Sequence, residues 1–449
     1  MSHSDDRELL VTRLPGDRRG ALFVALTAVA LIAVLVALSL PPTPLPTAIA
    51  SATPGLPTDA ATPVPPTQPA TQPPPTPSPR PTPTPNLTPN WSQIVDSGLG
   101  AVTEMDGLAM SDAGWVLAGT RWTPDAGYPD IIWYSNDARH WQEAALPEAP
   151  LEYLWHIVDV APFRGGFIAI GYGWRKYGSR KPPTTLALVS TDGQTWEVAG
   201  QFVGRPSSVA TMADGSLIVF GDPSLGDGEG IWLSEDAVEW RKATSSSARH
   251  VDDGVLAFAV RDGTLFALRS DDRATSFGTP VELWRTTDGE RWDKVVDLPA
   301  PVSVSTALMY AVGREWVIAA ERLRMSVDRQ THYAWYGWHS TDGVLWHAAS
   351  QPALHPELIL GDELGLLVIG RDYDATQSEA VQMSIWKSIN GDRWKEAPDG
   401  LGEGREIDVA AIIDGQVVAI GIDWPLGPGP DEGGGQGVVW TVDRAELTP

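Results

Sequence analysis

The stretch Leu188-Val189-Ser190-Thr191-Asp192-Gly193-Gln194-Thr195-Trp196 decides the fold of this 449-residue chain. Closely similar phrases begin at Trp133, Trp232, Trp284, Trp338 and Trp386, so the six copies start 44 to 55 residues apart. A period of this size is typical of folds built from repeated units, each of which is one small group of strands or helices. The sequence therefore predicts a repeat architecture before any single residue is considered.

Each phrase predicts a β-hairpin in which one strand ends at Ser, Asp-Gly makes a tight turn and the next strand starts at Trp. Asp accepts hydrogen bonds from its own turn backbone, and Gly tolerates the left-handed conformation. Ala138 and Ala237 replace that Gly, so we expect slight strain there. The residues to which we assign this structural role are Ser135, Asp137, Trp141, Ser190, Asp192, Gly193, Trp196, Ser234, Asp236, Trp240, Asp288, Gly289, Trp292, Ser340, Asp342, Gly343, Trp346, Ser388, Asn390, Gly391 and Trp394.

A continuous apolar run accompanies every repeat. The seven runs start at Gly114, Gly166, Ser216, Thr264, Glu315, Leu366 and Gln416. A strand without alternation is buried on both faces, as in blades stacked face to face around an axis. Asp-Gly pairs such as Asp262-Gly263 precede several runs and predict a hairpin to an earlier strand, which gives four strands per unit.

The last repeat lacks its fourth strand. Trp440 lies in a third strand, but the chain ends before a complete turn and partner, whereas Asn90-Trp91 at the other end resembles an outer strand without a hairpin. We expect the N-terminal strand to complete the last blade and leave no open edge. The predicted fold is therefore all-β, a seven-bladed β-propeller of four-stranded antiparallel blades spanning residues 90–444.

The phrase resembles the Asp-box, or BNR, repeat of the sialidase-like β-propeller superfamily, whose pattern S-x-D-x-G-x-x-W has one more residue in the turn. The resemblance covers nearly all of residues 90–444. It implies that the motif is structural and lies on the face away from the ligand, and we interpret the chain as a non-catalytic member. Kelch and WD40 repeats have similar periods, but their Gly-Gly doublets and Gly-His to Trp-Asp frame are missing.

The first 89 residues differ in composition from the repeats. An uncharged apolar run over residues 21–40 has the length of a membrane-spanning helix. Arg7, Arg13, Arg18 and Arg19 precede it, which predicts a cytoplasmic tail over residues 1–20. Residues 41–89 are rich in Pro and Thr and predict a disordered linker. We expect a single-pass cell-membrane protein with an extracellular propeller, the alternative being a signal peptide cleaved after Ala50.

The composition excludes several kinds of chemistry. The chain has no cysteine, so disulfides, thiolate-bound zinc and thiol catalysis are excluded. Its net charge of -25 argues against nucleic acid as a partner. Acidic clusters at 222–229 and at Asp271-Asp272 lack a defined ligand spacing, so we expect no metal and no cofactor. We also expect the propeller to be monomeric.

The loops between second and third strands should form a funnel on the face opposite the Asp-Gly turns. Aromatic, Arg and Asp side chains there suit stacking on sugar rings and hydrogen bonding to hydroxyl or carboxylate groups, which predicts a glycan or protein ligand. The candidate ligand-binding residues are Arg121, Trp122, Tyr128, Tyr172, Trp174, Arg175, Arg269, Arg322, Arg371, Tyr373 and Trp424.

Two alternatives to a binding module stay open. The resemblance to sialidases implies a carboxylate clamp of three arginines with a tyrosine nucleophile, for which Arg121, Arg269, Arg322 and Arg371 are candidates. The Arg-Ile-Pro element of that family is missing from the first blade, and we assign no catalytic residue. The other alternative is an assembly factor for a membrane complex, similar to BNR-like propellers that have this role.

Overall fold

The computed structural model describes residues 89–447 except for 122, 124–128, 149–152, 176–182, 222–229, 253, 271–280, 299–305, 313–314, 326–330, 351–353, 373–382, 398–400, 402–403 and 425–434. The predicted tail, the membrane span and, except for Pro89, the linker lie outside these residues. Within the described part of the chain, no helix is long and apolar enough to cross a bilayer.

The described strands form seven antiparallel sheets, which confirms the predicted seven-bladed propeller with four-stranded blades. Blade 1 contains β3 (Glu104–Ser111), β4 (Gly114–Thr120), β5 (Asp130–Ser135) and β6 (Gln142–Glu143). Blade 2 contains β7 (Tyr153–Phe163), β8 (Gly166–Arg175), β9 (Thr184–Ser190) and β10 (Glu197–Val203). Blade 3 contains β11 (Pro206–Thr211), β12 (Leu217–Gly221), β13 (Ile231–Ser234) and β14 (Arg241–Lys242).

Blade 4 contains β15 (Val255–Arg261), β16 (Thr264–Arg269), β17 (Val281–Thr286) and β18 (Asp293–Leu298). Blade 5 contains β19 (Thr306–Val312), β20 (Glu315–Met325), β21 (Thr331–Ser340) and β22 (His347–Ala349). Blade 6 contains β23 (Leu354–Asp362), β24 (Gly365–Asp372), β25 (Met383–Ser388) and β26 (Lys395–Ala397). A short helix, α1 (Ser246–Asp252), leads from blade 3 to blade 4, and a 3₁₀ turn covers Arg444–Leu447.

Blade 7 joins the two ends of the propeller. It contains β27 (Arg405–Ile413), β28 (Gln416–Asp423) and β29 (Gly435–Asp443), and its outer strand is β1 (Ser92–Ile94). Gln93 lies opposite Trp440 in the β1–β29 register, and β2 (Ala101–Val102) also pairs with β29. The backbone N–H of Asn90 donates to Glu446 Oε2 at 2.8 Å. The prediction that the N-terminal strand completes the last blade is therefore confirmed.

The blades pack through their apolar second strands. All five residues of β12 are buried, as are six of the eight residues of β28. Apart from the junction of blades 3 and 4, the first strands of neighbouring blades pack closely against one another, and β27 contacts β3, so the ring is continuous across its chain ends. Between blades 3 and 4, the rings of Phe220 and Phe258 stack with centroids 5.1 Å apart.

The Asp-Gly hairpins are held by a repeated set of hydrogen bonds. In blade 2, Gln194 N and Thr195 N donate to Asp192 Oδ1 at 2.8 and 3.0 Å. Trp196 Nε1 donates to Gly193 O at 3.0 Å, and the same indole-to-carbonyl bond recurs in the other five hairpins. Ala138 and Ala237 have φ of 57° and 67°, so both occupy the left-handed conformation that favours Gly.

A β-bulge interrupts the first strand in six of the seven blades, a feature that the sequence analysis missed. In five of these blades, a glycine on the second strand faces the residue before the bulge. A Cβ at Gly119 would lie 2.4 Å from Glu104 O, and one at Gly421 would overlap Glu406 O. The bulge and this glycine therefore belong together, because the bulge brings a carbonyl over the glycine Cα.

Two glycines with positive φ provide a matched stability test. Gly289 has a φ of 66°, and its Cβ would lie 2.4 Å from Leu233 Cδ2 of the preceding blade. Gly215 has a φ of 81° with nothing within 4 Å of such an atom. We expect Gly215→Ala to lower the free energy of unfolding by about 1–2 kcal/mol through the backbone alone, and Gly289→Ala by about 1–3 kcal/mol more through overpacking. Urea denaturation measures both, and equal losses would contradict packing of this turn against the neighbouring blade.

Candidate functional site

Acidic side chains meet where the first strands of three adjacent blades begin. The bulge residues are Glu357 in blade 6, Asp408 in blade 7 and Asp106 in blade 1. Glu406 and Glu104 lie two residues before the bulges of blades 7 and 1. These five residues, which we call the carboxylate cluster, lie near the loop face of the ring, because each first strand runs from that face towards its Asp-Gly hairpin.

Arg371 at the end of β24 is the cation of this cluster. Its Nε lies 2.6 Å from Glu357 Oε1, and its Nη2 donates to Glu406 Oε1. The guanidinium therefore joins blade 6 to blade 7. Its side chain is 32% exposed, whereas that of Glu357 is 9% exposed, so the arginine is the more accessible of the pair.

Burial makes three of these carboxyl groups weak acids. Asp106 is 1% exposed, and its burial, together with Glu104, Asp130 and Asp408, raises its pKa well above the usual range. Burial and the neighbouring Glu406 likewise raise the pKa of Asp408. Burial raises the pKa of Glu357 to about 7, although Arg371 opposes the shift. Asp106 Oδ2 and Asp408 Oδ2 have no hydrogen-bond partner among the described residues.

Two other buried aspartates beside the cluster have clear structural partners. Asp159 Oδ2 accepts a hydrogen bond from Val209 N at 2.9 Å, and this bond ties blade 2 to blade 3. Asp130 Oδ2 accepts one from Ile157 N at 3.1 Å, which ties blade 1 to blade 2. These acids therefore fasten blades together, and the unpartnered oxygens of Asp106 and Asp408 have no such role.

Two of the predicted ligand-binding residues lie together at the cluster. Trp424 follows β28, and its indole Nε1 donates to Glu406 Oε2 at 3.1 Å. Arg371 holds the other oxygen of the same carboxylate. Trp424, Glu406 and Arg371 thus form a half-buried corner in which an indole, a carboxylate and a guanidinium meet.

Tyr172, another predicted ligand-binding residue, is buried on blade 2. Its ring is edge-on to His156 at 5.6 Å, and the guanidinium of Arg205 is 4.8 Å away.

Two other predicted arginines bind acids in the outer part of their own blades. Arg121 Nη1 donates to Glu143 Oε2 of β6 at 2.8 Å. Arg269 Nη1 donates to Glu282 Oε2 of β17 at 3.2 Å, a carboxylate that Lys294 also binds. The structure therefore does not bring Arg121 and Arg269 together with Arg371.

Trp122, Tyr128 and Tyr373 lie outside the described residues. Trp174 and Arg175 end β8, and Arg322 lies in β20, but only their backbone is described. Their role in ligand binding stays a prediction.

The sequence analysis missed the buried acids of the cluster. A usable signal exists, since an acid interrupts each apolar first strand in Met105-Asp106-Gly107, Pro356-Glu357-Leu358 and Ile407-Asp408-Val409. The following strand then carries the bulge glycine at Gly119, Gly370 or Gly421. An acid in such a strand is costly to bury and therefore points to a site. Within the described ranges, no three acidic or histidine side chains are arranged to hold a metal ion.

No family model matches this chain, and no curated protein does so. Among solved structures, it is similar to an α-L-arabinanase from Penicillium chrysogenum complexed with arabinobiose (14% identity, 68% of this chain and 98% of that chain, TM-score 0.41). It is also similar to the phage phi92 endosialidase (11% identity, 79% and 69% of the chains, TM-score 0.43).

A third similar structure is the exo-β-1,3-galactanase 1,3Gal43A from Clostridium thermocellum (10% identity, 79% and 99% of the chains, TM-score 0.38). At these identities and TM-scores, the likenesses carry no argument about activity.

The raised pKa values predict a stability that falls as pH rises. Glu357 is protonated in the folded state up to about pH 7 but has a pKa of about 4.3 when unfolded. Its stabilising contribution is therefore complete below about pH 4 and is lost as pH rises through 7, a change of about 2 kcal/mol between about pH 5.5 and 8.5. Asp106 and Asp408 act in the same direction.

Urea denaturation at about pH 5.5, 7.0 and 8.5 measures this dependence. Glu357→Gln, which mimics the protonated acid, should flatten the decline, because the side chain no longer titrates. Glu363→Gln is the matched control on the exposed turn before β24 and should leave the slope unchanged. Stability that rises over this pH range, or the same slope in Glu357→Gln, would contradict a protonated Glu357 in the folded state.

Proposed function

We propose that this protein is a membrane-anchored, extracellular β-propeller that binds a glycan at the corner formed by Arg371, Glu406 and Trp424. The observation that carries the proposal is the meeting of a guanidinium, a carboxylate and an indole beside buried acids. Charged groups give short, directional hydrogen bonds to hydroxyls, and an indole face packs against the apolar face of a sugar ring. Side chains that are half-buried on a rigid scaffold suit such a ligand.

The topology supports presentation of this corner away from the membrane. Third strands end at the Asp-Gly hairpins, and β1 is antiparallel to the third strand β29, so the chain enters β1 at the hairpin face. The predicted linker, residues 41–89, therefore joins the ring on the face opposite the carboxylate cluster. The apolar run 21–40 and the arginines before it support the anchor and its orientation.

The hydrogen bonds of the hairpins support assignment to the Asp-box class of turn. Each of the six hairpins has the indole-to-carbonyl bond, and five have an Asp that accepts backbone N–H groups two and three residues further on. Their side chains are used within the turn itself. We therefore give these residues no part in ligand binding.

A glycoside hydrolase is the second candidate function. Glu357, with a pKa of about 7, is a carboxyl group that can act as a general acid at neutral pH, and Glu406 lies beside it on Arg371. Glycoside hydrolysis commonly uses such a pair, one acid and one base or nucleophile. A sialidase-type clamp of three arginines is less well supported, since Arg121 and Arg269 bind carboxylates in their own blades.

A glycan panel tests the proposed function. The full-length chain, in a detergent without a sugar headgroup, should bind immobilised envelope polysaccharides saturably. Arg371→Met and Trp424→Ala should weaken binding by tenfold or more, because each removes one wall of the corner, whereas Arg393→Met, whose side chain is 93% exposed on a hairpin, should not. Binding that survives both corner variants, or no binding to any glycan, would contradict the proposal. Hydrolysis of an aryl glycoside that is lost in Glu357→Gln would instead identify the protein as an enzyme.

A further inference from the structure

The charge balance of the carboxylate cluster points to a particular kind of ligand. The cluster contains five carboxyl groups from blades 6, 7 and 1, and Arg371 binds two of them, Glu357 and Glu406. Asp408 is influenced by Glu406, Glu357 and Glu104, and Asp106 by Glu104 and Asp408, so these acids lie within electrostatic reach of each other. The described cluster therefore has more acidic groups than cationic ones.

Asp106 provides an independent sign that the cluster receives a donor. Its side chain is 1% exposed, yet Oδ2 has no hydrogen-bond partner among the described residues. Leaving a buried polar group unsatisfied carries a substantial desolvation penalty, which is larger for a charged group. Native proteins satisfy nearly all such groups, so an orphaned oxygen beside several other acids calls for a ligand, ion or water. Asp408 Oδ2 repeats the observation on the next blade.

The chemistry of the cluster favours an organic cation. The described acids are not arranged as a group of three that could hold a metal ion. An ammonium group carries one positive charge and three N–H donors, and it tolerates acceptors spread over a wider space than a metal shell. Trp424, which donates its indole N–H to Glu406, adds an aromatic wall that attracts both cations and sugar rings.

We propose that the carboxylate cluster binds the ammonium group of an amino sugar, with Asp408 and Asp106 as acceptors and Trp424 against the sugar ring. This inference rests on the proposed glycan-binding function and narrows its substrate class. Asp408 is half-buried, whereas Asp106 is almost fully buried. Arg371 keeps Glu357 and Glu406 in place and leaves Asp408 and Asp106 for the ligand.

Proton release provides a signature that a neutral sugar would not give. Asp106, Asp408 and Glu357 hold protons at unusually high pH in the free protein, because burial raises the pKa of each. A cation favours the ionised form of a nearby acid, so binding must expel protons. Affinity should therefore rise between about pH 5 and 7, and the heat of binding should depend on the ionisation enthalpy of the buffer.

Calorimetry with the full-length chain in a polyoxyethylene detergent tests the inference. The probes are a glucosamine trimer, its fully N-acetylated counterpart and trilysine. We expect the glucosamine trimer to bind at least tenfold more tightly than either of the others and to release protons as it binds. Acetylation removes the charge and the ammonium N–H donors, so this comparison isolates the ammonium group.

Matched variants locate the site. Asp408→Asn should weaken binding of the glucosamine trimer by tenfold or more, while the thermal midpoint stays unchanged or rises, because a half-buried, unpartnered carboxyl oxygen is replaced by an amide. Glu406→Gln should also weaken binding, because its amide offers one acceptor oxygen where the carboxylate offers Arg371 and Trp424 one each. Glu363→Gln is the exposed control that should bind as the natural chain does.

Each other outcome overturns the inference. Equal binding of the acetylated trimer would show that the ammonium group is not recognised, and tighter binding of trilysine would assign the site to a basic peptide. No binding of the glucosamine trimer, or full binding in Asp408→Asn and Glu406→Gln, would also overturn it. If the natural chain still binds neutral glycans and Arg371→Met does not, the proposed glycan-binding function stands even though this inference fails.

Discussion

The pairing of β1 with β29 is the constraint on which the rest of the structure depends. A propeller made of consecutive repeats would leave one edge open, and an unpaired edge exposes N–H and C=O groups to water and to other chains. Here the fourth strand of blade 7 comes from the opposite end of the folded chain, with Ser92 facing Thr441. The 3₁₀ turn extends this fastening to blade 6, since the buried Arg444 donates to Asp362 Oδ1 at 2.9 Å.

Ring closure and the candidate site are parts of the same arrangement. Glu406 and Asp408 lie on β27 of blade 7, the blade that β1 completes, and their neighbours come from blades 6 and 1. Several acids gathered in a buried space repel one another, so only a rigid scaffold keeps them together. The repeated hairpins and the tightly packed second strands provide that rigidity. The energetic cost of repulsion between acids is confined to the carboxylate cluster.

The sequence predicted the architecture well because the apolar second strand recurs in all seven repeats. Asp192, Gly193 and Trp196 determine the geometry of their own turn. Their pattern can therefore be recognised in the sequence without knowledge of the neighbouring blades. The carboxylate cluster was harder to find, since Asp106 and Asp408 lie far apart in the sequence and meet only when the ring closes. Arg121, Arg269 and Arg371 occupy comparable strand ends. The direction of each side chain depends on its acidic partner, and the repeat period does not reveal these partners, which are Glu143, Glu282 and Glu357.

The most direct test is a cross-link across the closing pair. The chain has no cysteine, so Ser92→Cys with Thr441→Cys allows only one disulfide, between residues paired across antiparallel strands. We predict near-complete disulfide formation in the native monomer under mild oxidation, measured by non-reducing electrophoresis and peptide mapping, and none in a control pair of Ser92→Cys with Glu197→Cys on blade 2. A native, monomeric double variant that fails to form this disulfide between β1 and β29 would contradict ring closure by the N-terminal strand.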